Sequence, residues 1–293
     1  MSSWQGRSKG TPLGYRIFIS ILKNFGVVPA YLLLRFVAGY YFLFDRKSSK
    51  ILRSYFRDHL HFSKWKTIGM MYKNYYVFGQ GIIDKVVMMA NVENQFTFDF
   101  DGEENLRSIT ALGKGGLLLS AHLGNWEIAG HLLKRLETRI NIVMYDGEHE
   151  KIKQYLEGVT GKRNMNVIVI KDDISHIYAI NEALRNNELV CMHADRFVDG
   201  NKTVSHEFLG EEARFPLGPF ILASTFKVPV SFVYAFKETN KHYHLFSSEP
   251  KRYGHLTKGE VVPALLKDYV EEMERKTKLY PAQWFNYYDF WKA

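Results

Sequence analysis

The sequence predicts an α/β fold: a mostly parallel central sheet flanked by helices, preceded by a hydrophobic, amphipathic helical segment that anchors on a membrane. Three observations carry that expectation. Five short runs are almost continuously apolar, as parallel strands covered on both faces are. Stretches with helical spacing separate most of them, which is the alternation of a layered α/β domain. The first 53 residues join a long apolar stretch to the whole of the chain's positive excess.

That excess is easily located. The chain has 39 Lys and Arg and 31 Asp and Glu; nine and one of these fall in residues 1–53, which leaves 30 of each in residues 54–293. A nucleic-acid-binding protein spreads positive charge over its folded face. A basic, apolar N-terminus points instead to an anionic membrane surface, and no nucleic-acid partner is expected. Between Gly26 and Phe44 the only charge is Arg35, so the stretch is about the minimum length for a spanning helix. Pro29 and Arg35 weigh against a comfortable span, since an Arg at mid-bilayer costs at least ~2.5 kcal/mol. The run starts too late and is too long for a cleaved signal peptide. An interfacial anchor is the favoured arrangement. A single span and a helical hairpin buried in the domain's own core are the alternatives. We therefore divide the chain into a membrane-associating segment, 1–53, and an α/β domain, 54–293.

Within the domain, residues 51–92 read as helices, with Trp65, Ile68, Met71, Tyr72, Tyr75 and Tyr76 at helical spacing. Strands are expected at 116–121, 140–144, 167–170, 189–192 and 228–234. Helices are expected at 126–136, 150–160, 177–185 and 217–226. A closing helix at 261–278 carries Val262, Leu265, Leu266, Tyr269, Val270 and Met273 on one side. Hydrophobic residues make up 46% and charged residues 24%, which excludes a disordered chain and a polytopic membrane protein. The single cysteine, Cys191, excludes an internal disulfide framework and a Cys-rich zinc site, and fits a reducing compartment.

The chemistry-bearing motif follows the first of these strands: Ser120-Ala121-His122-Leu123-Gly124-Asn125-Trp126-Glu127. In one continuous helix His122 and Glu127 would lie ~140° apart and could not meet. Across a strand–turn–helix junction they can. Gly124 permits the turn, Asn125 is placed to cap the helix, and Glu127 falls in its first turn. A carboxylate on one imidazole nitrogen fixes the tautomer and leaves the other nitrogen to take a proton from a hydroxyl. A capping histidine beside a solvated first-turn acid is the alternative. The end of a parallel strand is also where α/β folds place their ligands.

This block resembles the His-x4-Asp/Glu signature of the lysophospholipid acyltransferase superfamily. Within it, the chain is most similar to the late acyltransferases of lipid A biosynthesis, the lauroyl and myristoyl enzymes. The likeness continues in Asp195-Arg196, in 208–213, in Gly218-Pro219-Phe220, in Val228-Pro229-Val230 and in Pro281-Ala282-Gln283-Trp284, in order along nearly the whole chain. It departs in two places. Where that family carries a basic stretch after the terminal Trp, this chain reads Phe285-Asn286-Tyr287-Tyr288-Asp289-Phe290-Trp291. After the second strand the family's basic run is replaced by Asp146-Gly147-Glu148-His149-Glu150. Both departures remove cations that could face a phosphorylated acceptor. The variant resembles the branch of Bacteroidetes-type bacteria.

The resemblance implies a glycerolphosphate-acyltransferase-like fold on the cytoplasmic face of the inner membrane. It implies O-acyl transfer from an acyl thioester, carried by acyl carrier protein with coenzyme A as the alternative, to a hydroxyl of a lipid A precursor. His122 would be the base, with Glu127 as its carboxylate. The tetrahedral oxyanion needs backbone N–H groups or a cation. Arg196 is the candidate cation, or else a ligand for an acceptor phosphate, and Arg214 the second. Ordinary ion pairs, Arg196 with Asp195 or Asp199 and Arg214 with Glu211 or Glu212, are the alternatives. Asn125 and Asp195 complete the expected substrate-binding set, Asp195 by positioning the loop. Two rival readings are the same chemistry on a lysophospholipid, amino-acid lipid or aryl-polyene pigment lipid, and a non-catalytic lipid-binding membrane protein. No metal or organic cofactor is expected. His149, His176, His193, His206, His242 and His244 show no metal-ligand pairing on a recognisable scaffold, and Cys191 reads as a small hydrophobe in a strand. The terminal aromatics fit either a bilayer interface or the core.

Overall fold

The computed structural model describes residues 12–89, 96–129, 136, 138–145, 165–171, 173–198 and 200–292. Two apolar helices come first, α1 (Pro12–Phe25) and α2 (Val27–Phe44), broken at Gly26 with φ +81°. Pro29 lies in the first turn of α2, where its missing N–H has no helical partner to lose. Asp45 then accepts hydrogen bonds from Ser48 N–H and Ser48 Oγ and so opens α3 (Arg46–Ser54). A single π turn, Tyr55–His59, follows, and the long α4 (Lys64–Met89) completes the helical part.

α2 packs on α4 through Ala30, Tyr31, Leu34 and Ala38, with a Leu34 methyl lying where a side chain on Gly79 would have to go. The opposite stripe, Val28, Leu32, Phe36, Tyr40, Leu43 and Phe44, is exposed; Phe36 is 78% accessible. α2 is therefore not enclosed in the domain's core. Its 18 residues, of mean hydropathy 1.6, give a length of about 27 Å, close to the hydrocarbon thickness of a bilayer.

The domain is built on a seven-stranded sheet of order β1-β9-β8-β2-β5-β3-β4. Its strands are β1 (Thr97–Asp101), β2 (Gly116–Ser120), β3 (Ile140–Tyr145), β4 (Met165–Ile170), β5 (Leu189–His193), β8 (Val230–Lys237) and β9 (His242–Ser247). Every neighbouring pair is parallel except β8 with β9. The five expected runs form its central and far strands. β1 and β9 widen it on one edge, and a separate antiparallel hairpin joins β6 (Thr203–Phe208) to β7 (Glu211–Pro216). Helices α5 (Glu103–Ala111), α6 (Trp126–Ala129), α7 (Ser175–Arg185), α8 (Gly218–Phe226) and α9 (Lys258–Leu279) connect and cover the sheet. Thr257 and Glu260 start α9 with a reciprocal capping box. The helix expected at 126–136 is seen over α6, most of its remainder lying outside the described residues, as does the helix expected at 150–160.

β2 shows why the apolar runs are continuous. Leu117 and Leu119 enter one core with Val190, Phe232 and Tyr269, while Leu118, on the other face, packs with Leu106, Ile109 and Leu189. Both faces are covered, so Leu117, Leu118 and Leu119 are all buried, and the one polar side chain, Ser120, satisfies its hydroxyl on the Val233 carbonyl at 2.7 Å.

A fully buried ionic cluster ties the helical part to the sheet. Lys237 Nζ, at the end of β8, donates to Asp84 Oδ2 (2.5 Å), Tyr31 OH (3.0 Å) and the Asn240 carbonyl (3.1 Å). Tyr31 and Tyr243 both donate to the Asp84 carboxylate. All three ammonium protons and both carboxylate oxygens have partners, which is the condition for burying such a pair.

Candidate active site

The site follows from one register. β2 and β5 are adjacent and parallel, with Ser120 opposite His193. The ladder runs one step further, Ala194 N–H donating to the Ser120 carbonyl at 2.9 Å. Two residues beyond the paired ends, His122 and Asp195 must therefore face each other. They do: Asp195 Oδ1 lies 2.8 Å from His122 Nδ1, and Asp195 Oδ2 accepts the His122 backbone N–H at 2.9 Å.

The turn after His122 is closed by three backbone hydrogen bonds from two other segments, β8 and the stretch 283–285. Gly124 has φ +79°; its N–H donates to the Gln283 carbonyl at 2.8 Å, and Asn125 N–H donates to the Ala235 carbonyl at 2.7 Å. Phe285 N–H returns a bond to the His122 carbonyl at 3.0 Å. A Cβ on Gly124 would lie 2.1 Å from the Ala235 carbonyl oxygen, in a backbone region that L-residues avoid. Gly124→Ala is therefore expected to destabilise the fold by ~3 kcal/mol or more and to misplace His122. A thermal midpoint within a degree or two of the parent's would count against this account of the turn.

Charge fixes the protonation pattern. Burial works to raise the Asp195 carboxyl, but His122 and Arg196 beside it outweigh burial and hold it far below the usual carboxylate range. An ionised Asp195 can only accept, so His122 Nδ1 carries the proton and its Nε2 presents a lone pair. Burial lowers the His122 pKa, the Arg196 charge lowers it further, and Asp195 pulls the other way. His122 is thus a neutral base at neutral pH.

The sequence offers Glu127 as the carboxylate for His122. In the structure the imidazole Nδ1 is held by Asp195; Glu127 starts α6, and its side chain lies outside the described residues. The Asn125 side chain, expected to cap the helix, instead directs Nδ2 to the Gly81 carbonyl and Tyr243 OH, each at 3.4 Å. Among the described residues Arg196 forms no ion pair with Asp195, and Asp199 lies outside them. The Arg196 Nη2 donates to the Phe285 carbonyl at 2.5 Å, its guanidinium lies over the Tyr288 ring, and its buried Nε has no hydrogen-bond partner among the described residues. Arg214 lies on β7, bonded to Thr203 Oγ1 and over Phe197, rather than beside His122.

His193 is the residue that sequence reading passed over. Its Nδ1 lies 3.3 Å from His122 Nε2, and its ring packs edge-on against His122 and Trp126. Burial and the neighbouring His122 push its pKa down to about 3. Two histidines 71 residues apart give no local signal; only the β2–β5 pairing brings them together. The polar atoms of His122, His193 and Asp195 lie within 4.8 Å of one another. They are bonded to each other in series, so they form a hydrogen-bonded chain rather than an open ligand set.

The terminal aromatics belong to the core. Trp284 and Phe290 are almost fully buried, and Trp291 Nε1 donates to the Phe208 carbonyl. Where a basic stretch would present cations, this chain packs rings behind Arg196.

Comparison with known proteins adds the following. The model of the family described as bacterial lipid A biosynthesis acyltransferase matches residues 15–293. Phosphatidylinositol mannoside acyltransferases of two Mycobacterium tuberculosis strains, ATCC 25618 / H37Rv and CDC 1551 / Oshkosh, are each 31% identical over 124 residues. That stretch is 42% of this chain and 39% of each relative, so the match spans about two fifths of the relatives' length. Among solved structures, the 1-acyl-sn-glycerophosphate acyltransferase PlsC from Thermotoga maritima aligns over 84% of this chain and 96% of its own, at 12% identity and a TM-score of 0.40.

Proposed function

The chain belongs to the bacterial lipid A biosynthesis acyltransferase family, and from that premise we propose that it moves a fatty acyl group from an acyl thioester to a lipid hydroxyl. The observation that carries this reading is the Asp195–His122 pair at the end of β2, buried on the carboxylate side and presenting a basic nitrogen on the other. The acceptor's proton goes to this pair, and the freed oxygen attacks the thioester carbonyl carbon. The carbonyl oxygen takes up the electron pair. Collapse of the tetrahedral intermediate expels the thiolate, which recovers the proton as a thiol. Arg196, with a buried N–H that no group among the described residues accepts, is the donor we assign to that oxyanion or to an acceptor phosphate.

The donor we favour is acyl carrier protein and the acceptor a lipid A precursor, at the cytoplasmic face of the inner membrane. The exposed apolar stripe of α2 and the basic residues around it support attachment to an anionic bilayer. Another polar lipid as acceptor is the second reading. It is supported by the aromatic, uncharged packing behind Arg196 and by the relatives whose name specifies a mannoside lipid. Lipid mass spectrometry separates the two. In a strain lacking this gene, and in one restored with His122→Ala alone, lipid A should lack one acyl chain. If another lipid class loses the chain in both strains, the chemistry stands and the acceptor changes. If His122→Ala restores the full lipid profile, the catalytic reading fails.

The pH profile is a further check. His122 accepts a proton only when neutral, and its pKa lies below the ordinary imidazole value of about 6.5. The acid limb of kcat/KM should therefore fall below pH 6.5. Arg196 lowers the His122 pKa, so Arg196→Met should move that limb to higher pH as well as slow the reaction. An acid limb that stays in place in Arg196→Met would mean the titrating group is not His122.

A further inference from the structure

The nitrogen of His122 that should take the acceptor's proton is already occupied. His122 Nδ1–H points to the ionised Asp195, so a neutral His122 can only accept at Nε2. The group facing Nε2 is His193 Nδ1, at 3.3 Å. For that contact to be a hydrogen bond, His193 must carry its proton on Nδ1. Its own lone pair is then on Nε2, and among the described residues no hydrogen bond reaches that atom. The rings meet at 70° with centroids 4.3 Å apart, and the Trp126 ring stands edge-on to His193 at 5.5 Å, so the imidazole is held in place from two sides.

We propose that His193 is a catalytic residue of this site: the acceptor hydroxyl gives its proton to His193 Nε2, and His193 passes its Nδ1 proton to His122 Nε2. This rests on the acyl-transfer reading above. The acceptor O–H bond breaks as the new Nε2–H bond of His193 forms. The Nδ1–H bond of His193 breaks as Nε2–H of His122 forms, and the acceptor oxygen bonds to the thioester carbon. His193 is neutral before and after, its tautomer exchanged. The positive charge resides on His122, where the Asp195 carboxylate compensates it. On collapse the two proton shifts reverse, and the proton on His193 Nε2 goes to the departing thiolate. The same ring thereby serves both the entering oxygen and the leaving sulfur.

A wire of this kind needs a relay that does not itself hold the charge. The low pKa of His193, about 3, meets that need, whereas His122 has the carboxylate that stabilises its imidazolium.

Two measurements on the full chain in detergent test the proposal. Long-range proton–nitrogen spectra of the 15N-histidine-labelled protein at pH 7, assigned with His193→Gln, should show both rings neutral with Nδ1 protonated. A His193 ring protonated on Nε2 would overturn the relay whatever the activity. The second measurement uses dodecanoyl-loaded acyl carrier protein as donor and the lipid extract of the gene-deleted strain as acceptor. His193→Gln, whose amide keeps a hydrogen-bond donor but cannot pass a proton on, should lose about 10²–10³-fold in kcat with KM unchanged. The solvent-isotope proton inventory should be bowed in the parent, for two protons in flight, and linear in His193→Gln. An active parent with a linear inventory, or His193→Gln within threefold of it, overturns the relay alone. A parent that transfers no acyl group overturns the acyl-transfer reading and the relay with it.

Discussion

Asp195→Asn is expected to lower turnover by about 10³–10⁴-fold while leaving the protein folded. The asparagine keeps the shape of the carboxylate and an oxygen for the His122 backbone N–H, which Asp195 accepts at 2.9 Å. What changes is the partner of Nδ1. An amide NH2 turned to that atom favours the other tautomer, with Nδ1 accepting and the proton on Nε2, and the basic lone pair is then lost on the reactive side. No charge remains to stabilise an imidazolium. Steady-state kinetics should show kcat reduced with KM little altered, because the group acts on the base and does not bind the substrate. An Asp195→Asn enzyme within tenfold of the parent would mean that another carboxylate serves His122. Glu127→Gln is the companion variant for that case, since Glu127 is the carboxylate the local motif supplies.

The second large effect is on stability. Lys237→Met should destabilise the protein by about 3–5 kcal/mol, because it leaves the Asp84 carboxylate buried without its counter-charge. Both side chains are essentially inaccessible, at 4% for Lys237 and 0% for Asp84. Asp84→Leu alone should do comparable damage by stranding the ammonium. The double variant Asp84→Leu/Lys237→Met removes both charges and should recover much of the loss, since paired buried charges contribute little net stability over apolar groups of similar size. Denaturation midpoints of the four proteins form the cycle. Strict additivity of the two single losses would show that the pair does not act as a unit. Because Tyr31 of α2 shares this cluster, the single variants should also loosen α2 from α4.

What could be read from the sequence, and what could not, divides by range. The runs at β2, β3, β4, β5 and β8 were legible because strands covered on both faces are dominated by apolar residues, with only an isolated hydrogen-bonded Ser or Asn such as Ser120, Asn141 or Ser231 among them. β1 was not, since Thr97–Asp101 alternates Phe with Asp on a sheet edge and leaves three of its five residues exposed. The β6–β7 hairpin was not, since its charged strands face solvent and its turn, Leu209-Gly210, at φ +54° and +84°, has a leucine in the first left-handed position. His122 was legible because a strand ends, a glycine turns and a helix begins within a few residues. The partner of His122 was not. Choosing Asp195 over Glu127 requires knowing that β5 lies beside β2, and 73 residues separate the pair. The Arg196 contact with the Phe285 carbonyl and the His193 contact with His122 depend on the same long-range order.

The bonds from Gln283 and Phe285 to the catalytic turn have a consequence for how the protein is made. These residues emerge from the ribosome roughly 160 positions after the turn they complete, a separation typical of the slow, non-local closures of a fold. By then the apolar helices and the Asp84-bearing helix have long been available to pack. A nascent chain therefore carries α2, with its exposed apolar stripe, well before Gly124 and His122 have their last two hydrogen bonds. The turn that holds His122 is among the last parts of the chain to be completed. The same late stretch couples the site to the core: loss of residues 281–291 would remove the bonds to Gly124 and His122 together with the buried Trp284 and Phe290, so the geometry around His122 and the packing of the domain fail as one.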